Sequence, residues 1–138
     1  MQQIRLMLIN SPALKPIFEA YDIFKVVLSI KKANDLNQIQ EEARRLQPDA
    51  IIYKAGDKEK IPLELLGKIK EMCPLSLMIV FAASETPEEV AAAFKAGADS
   101  YLLDENMLPA EIAEAVELIC QAKVCFFPAS LRELFKNI

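Results

Sequence analysis

Residues 77–82 read Leu77-Met78-Ile79-Val80-Phe81-Ala82, six apolar residues with no polar alternation. A run this short and this continuous fits a strand buried on both faces, the condition of a strand inside a parallel sheet. Ala50-Ile51-Ile52-Tyr53 is a second run of the same kind. Working outward, the segments Ile4–Ile9, Phe24–Ile30 and 101–103 (Tyr101-Leu102-Leu103) complete a set of five candidate strands.

Helical patterns separate them. Residues 13–21 form the weakest, with Pro16 tolerated only in a first turn. Residues 36–46 carry Leu36, Ile39, Ala43 and Leu46, and residues 62–72 carry Leu65, Leu66, Ile69 and Met72, each at helical spacing. Thr86-Pro87-Glu88-Glu89 is an N-cap, a Pro at the first helical position and a Glu placed for a capping box; that helix should stop at Gly97. Residues 109–122 place Ile112, Val116 and Ile119 on one face. The order is (βα)5. Parallel neighbours need right-handed crossovers, so helices should cover both faces of a doubly wound α/β sandwich. Its ligand crevice is expected at the C-terminal ends of the strands.

Composition agrees with one globular domain. The chain has 138 residues, 53% hydrophobic and 26% charged, enough to bury a core without a disulfide or metal staple. A net charge of −4, with Lys31-Lys32 and Arg44-Arg45 the only adjacent basic pairs, argues against a nucleic-acid surface in this segment. Cys73, Cys120 and Cys125 have neither disulfide-framework nor zinc-site spacing, and the chain has no histidine. No apolar run approaches the ~18 residues of a membrane span, and the first is too short for a signal peptide. These features predict a soluble, cytoplasmic protein with no metal and no cofactor.

The stretches Gln47-Pro48-Asp49-Ala50-Ile51-Ile52 and Ala96-Gly97-Ala98-Asp99-Ser100-Tyr101-Leu102-Leu103 resemble the receiver domains of two-component response regulators, above all those of LuxR type. In that family a Pro-Asp pair leads into the third strand, and an Ala-Gly-Ala segment followed by Tyr-Leu-Leu leads into the fifth. Pro128-Ala129-Ser130 is similar to the point where the receiver passes into a linker. The resemblance implies a CheY-like, flavodoxin-like fold with strand order 2-1-3-4-5. It divides the chain into a receiver-like domain over residues 1–122 and a linker with a helical tail over 123–138, leading toward an output domain.

Carried over position by position, the family's phosphorylation chemistry is missing. The two acidic residues that hold Mg²⁺ after the first strand correspond to Asn10 and Ser11. The phosphate-accepting Asp corresponds to Lys54, the hydroxyl residue of the fourth strand to Ala82, and the Lys after the fifth strand to Asp104. Mg²⁺ prefers anionic oxygen ligands, and phosphoryl transfer to the protein needs a carboxylate to attack, so a degenerate pocket with no catalytic residue is expected. Lys54 and Asp104 have exchanged charge relative to the family. One strand intervenes between them, which puts their backbones roughly 10 Å apart; a reversed salt bridge would close the pocket. Tyr101 falls on the family's aromatic switch position, and Ala82 leaves room for its ring to stay inward.

The leading reading is a pseudo-receiver that signals without phosphorylation. It would regulate transcription through an attached or partner DNA-binding domain and pair with a protein partner, or itself, through the fourth helix, fifth strand and fifth helix. A ligand sensor is the alternative, its vacant pocket lined by Asn10, Ser11, Lys54, Ala82, Ser84 and Asp104. A flavodoxin-like enzyme is disfavoured: the first turn, Ile9-Asn10-Ser11-Pro12-Ala13, lacks the glycines of a phosphate-binding turn.

Overall fold

The computed structural model describes residues 2–32, 35–55, 62–83, 86–126 and 128. Five strands, β1 (Ile4–Ile9), β2 (Phe24–Ile30), β3 (Ala50–Lys54), β4 (Leu77–Ala82) and β5 (Ser100–Leu103), form one parallel sheet in the order β2-β1-β3-β4-β5. The helices are α1 (Lys15–Glu19), α2 (Leu36–Leu46), α3 (Leu63–Met72), α4 (Pro87–Ala96) and α5 (Pro109–Ala122). This is the doubly wound (βα)5 arrangement expected from the sequence.

The continuous apolar runs are explained by where their side chains go. Alternate strand residues face opposite layers, so each run feeds two cores. Met7, Ile9, Ile51, Tyr53, Met78, Val80, Ala82 and Tyr101 pack with buried residues of α2, α3 and α4. Leu6, Leu8, Ala50, Ile52, Ile79, Phe81 and Leu102 pack with Phe18 of α1 and with Ile112, Val116 and Ile119 of α5.

Local signals account for several helix ends. The Asp35 carboxylate caps α2 by accepting the Gln38 N–H at 3.1 Å, and the Thr86 hydroxyl caps α4 by accepting the Glu89 N–H at 3.2 Å. Gly97 ends α4 at a φ of 125°, and a Cβ there would stand 3.1 Å from the Lys70 side chain. Both backbone and space therefore require glycine.

One helix departs from the sequence expectation. Instead of a single helix over 13–21, a 3-10 turn at Pro12–Leu14 precedes a five-residue α1. Pro16 lacks the N–H that would bond the Pro12 carbonyl four residues back, and its ring crowds that carbonyl; the Lys15 N–H takes it instead, closing a 3-10 turn. The pairing of β2 with β1 also slips by one residue between Leu6 and Met7, a β-bulge that skips Val27. The helical pattern over 131–138 lies outside the described residues, as does the charged loop Asp57, Lys58, Glu59 and Lys60.

Candidate functional site

The C-terminal ends of β1, β3, β4 and β5 bring together Asn10, Lys54, Ala82 and Asp104. Asn10 leaves β1 with a φ of 59°, a left-handed conformation that Asn tolerates better than most residues. Its N–H donates to Ile30 O at 2.8 Å and its side-chain amide donates to Lys54 O at 2.9 Å. The turn after β1 is thereby tied to the ends of both neighbouring strands.

Lys54 is the last residue of β3, in register with Phe81, and the next amide, Ala55 N–H, donates to Phe81 O at 2.8 Å. Asp104 follows β5 directly, its N–H donating to Ala82 O at 3.1 Å. The Lys54 ammonium reaches across the end of β4 and pairs with the Asp104 carboxylate. The residue bridged over is Ala82, whose side chain is a single buried methyl group. Exposure is unequal: 32% for the Lys54 side chain and 6% for that of Asp104. A nearly buried carboxylate thus depends on a cation that still reaches water.

Ser11 is placed differently. It is buried, and its hydroxyl donates back to Ile9 O at 3.2 Å, so it serves the turn. Ser84 lies outside the described residues. Tyr101 is 1% exposed, within the layer that contains Ala82, Tyr53, Val90 and Ala93. Its ring therefore belongs to the interior and contributes no surface.

Of the five pocket positions read from the sequence, Asp104 alone carries a carboxylate, and it is committed to Lys54. Among the described residues no group of three or more His, Cys, Asp or Glu side chains is placed to hold a metal. A Mg²⁺ ion does not fit this donor set: an ammonium occupies the centre, one hydroxyl is turned inward and one amide is spent on a carbonyl.

A cleft of about 330 Å³ lies at the opposite end of the sheet, between Ile4, Pro48, Asp49, Ser76, Cys120 and Lys123. Burial, reinforced by the Asp49 charge, pushes the Cys120 thiol up to about 11. That thiol is protonated at neutral pH and a poor nucleophile. Nothing in the sequence pointed to this cleft, whose walls are strand starts and helix ends far apart in the chain.

No family model matches the chain. The nitrate/nitrite response regulator protein NarL of Escherichia coli strain K12 is 33% identical over 87 residues, 63% of this chain and 40% of that protein. The matched stretch thus spans well under half of the curated relative. A two-component response regulator of the LuxR family from Aurantimonas sp. SI85-9A1 superposes with a TM-score of 0.74 at 20% identity, covering 99% of this chain and 98% of that one. The isolated REC domain of RcsB from Salmonella enterica serovar Typhimurium, in the presence of the phosphomimetic BeF3−, gives 0.72 at 16% identity over 95% of this chain and 98% of that one. A structure of two RcsB dimers bound to two parallel DNAs gives 0.76 at 17% identity, covering 99% of this chain and 70% of that one.

Proposed function

We propose that this chain is a response-regulator receiver domain of the NarL/LuxR type and that it signals without accepting a phosphoryl group. The observation that carries this reading is the Lys54–Asp104 ion pair across the end of β4. A phosphorylated receiver gains negative charge at the end of its third strand, and a cation answers it. Here the third strand supplies the cation and the segment after the fifth strand supplies the anion, within a single chain and with no transferred group. The pocket is closed by the protein's own charges.

The surrounding residues support the same reading. Lys54 cannot form an acyl phosphate, and the donors beside it do not suit Mg²⁺. Ala82 presents only a methyl group, and the buried Tyr101 ring lies in the layer that contains Ala82. Burial of an aromatic ring contributes on the order of 1.5–3 kcal/mol, enough to hold a two-state element on one side. The α4, β5 and α5 surface is then held in one form, and the protein acts through contacts instead of a phosphate cycle. We assign it a role in transcription control through an attached or partner DNA-binding domain. A protein partner or a second copy would dock through α4, β5 and α5, where Leu103 and Leu108 offer exposed apolar groups. The closed ion pair disfavours a ligand sensor at this end.

The test is thermal unfolding with and without Mg²⁺ and beryllofluoride. The expected result is no shift. An upward shift, which would reach about 2.7 kcal/mol at a hundred times Kd by mass action, would establish a working acceptor and overturn the reading.

A further inference from the structure

β5 is an edge strand, so the sheet itself leaves its outward peptide groups without a strand partner. The chain leaving α5 covers part of that edge. Lys123 ends α5 in the left-handed conformation at a φ of 58° and turns the chain back toward the sheet. The Tyr101 N–H then donates to Phe126 O at 2.8 Å, and the Phe126 N–H donates to the buried Ser100 hydroxyl at 3.0 Å. The Phe126 side chain, half-buried, packs against the core between the sheet, α1 and α5.

The other end of the same strand carries the pocket. Asp104 follows Leu103, is fixed to Ala82 O through its N–H, and is held by Lys54 through its carboxylate. Five consecutive residues, 100–104, therefore bear the fastening of the exit segment at one end and the pocket ion pair at the other. Tyr101 lies within this stretch, its amide committed to the exit segment and its ring to the opposite core. A hydrogen bond weakens within a few tenths of an ångström or a few tens of degrees, so a displacement of β5 changes the fastening directly.

We propose that β5 is a latch bar: residues 124–126 remain fastened to its edge while Lys54 holds Asp104, and opening that pair releases them. The inference rests on the reading of the pocket given above and extends it by naming the output path. The controlled element is the chain that leaves the domain, and the controlling contact is the Lys54–Asp104 pair. Linkage requires the effect to be reciprocal, so loosening the exit segment also weakens the pair.

The test is site-resolved amide hydrogen exchange on the full chain, with the Leu77 amide, bonded to Asp49 O at 3.0 Å away from the pocket, as internal reference. Lys54→Met and the near-isosteric Asp104→Asn are each expected to accelerate exchange at Tyr101 by about fivefold, the lower end of such coupling, with Leu77 unchanged. Phe126→Ala should accelerate Tyr101 directly. If Phe126→Ala accelerates Tyr101 while neither pocket variant does, the latch exists but the coupling is overturned. If none of the three changes Tyr101, the fastening itself is overturned. Both failures are distinct from a beryllofluoride-induced rise in unfolding temperature, which bears on the pocket reading alone.

Discussion

Two lysine–aspartate pairs flank β5, one at each end of the sheet, and they are built differently. At the N-terminal end the Lys70 ammonium bonds both Asp99 and Ser76 O, each at 2.7 Å. The same Asp99 oxygen accepts the Met78 N–H at 2.8 Å. That pair joins α3, the loop before β4 and the loop before β5 into one network. At the C-terminal end Lys54 meets Asp104, and among the described residues the ammonium has no second acceptor. A network with three anchored elements is suited to holding a fold; a single contact at the strand ends is suited to the state-holding role proposed above.

The comparison can be broken most directly at Asp99. Asp99→Ala leaves the Met78 amide and the Lys70 ammonium short of an acceptor, and is expected to cost about 2 kcal/mol in urea unfolding. Asp104→Asn keeps the volume and a hydrogen-bond acceptor while removing the charge. It should cost about 1 kcal/mol or less in the same experiment, because its partner reaches water. Equal losses at the two sites would remove the distinction drawn here.

A smaller effect sharpens the picture at the N-terminal cleft. The folded-state thiol of Cys120 is raised from 9.0 to about 11. A raised acid keeps its contribution to stability below the unfolded value and loses it as pH climbs through the folded one. Unfolding temperature should therefore decline between pH 9 and about 11, and Cys120→Ala should flatten part of that decline. The smallest effect is expected on the outer face of α2, where the exposed Arg44–Glu41 pair at 2.8 Å supplies a local contact. Glu41→Ala should change the urea midpoint least of the four, with any difference vanishing on added salt.

Much of the fold was legible because the strands of a doubly wound sheet must be apolar on both sides. Leu77–Ala82 could be nothing amphipathic, and Thr86-Pro87 and Gly97 marked the ends of α4 by chemistry that does not depend on the rest of the molecule. The split of α1 was only half legible: Pro16 warned of it, but no residue type marked a 3-10 turn at Pro12–Leu14. The ion pair was legible as a possibility of reach once the strand order put Lys54 and Asp104 at neighbouring ends, fifty residues apart in sequence. The fastening of Phe126 was not legible. Three residues after a helix show no period, and the bonds that hold them involve a backbone amide and a buried hydroxyl, neither of which leaves a mark in a sequence.

The register slip in β2 has a consequence for behaviour in concentrated solution. Open sheets risk growing by edge-to-edge pairing with other molecules, and the two outermost strands decide whether they do. On one side the register slip at Val27 interrupts the even pairing of β2, and an exposed Lys25 adds charge there. On the other side β5 is four residues long and its edge is partly covered. Neither border offers the long, flat, uncharged run from which aggregates nucleate. A chain with 53% hydrophobic residues thus places the features that oppose edge-to-edge pairing in its two outermost strands.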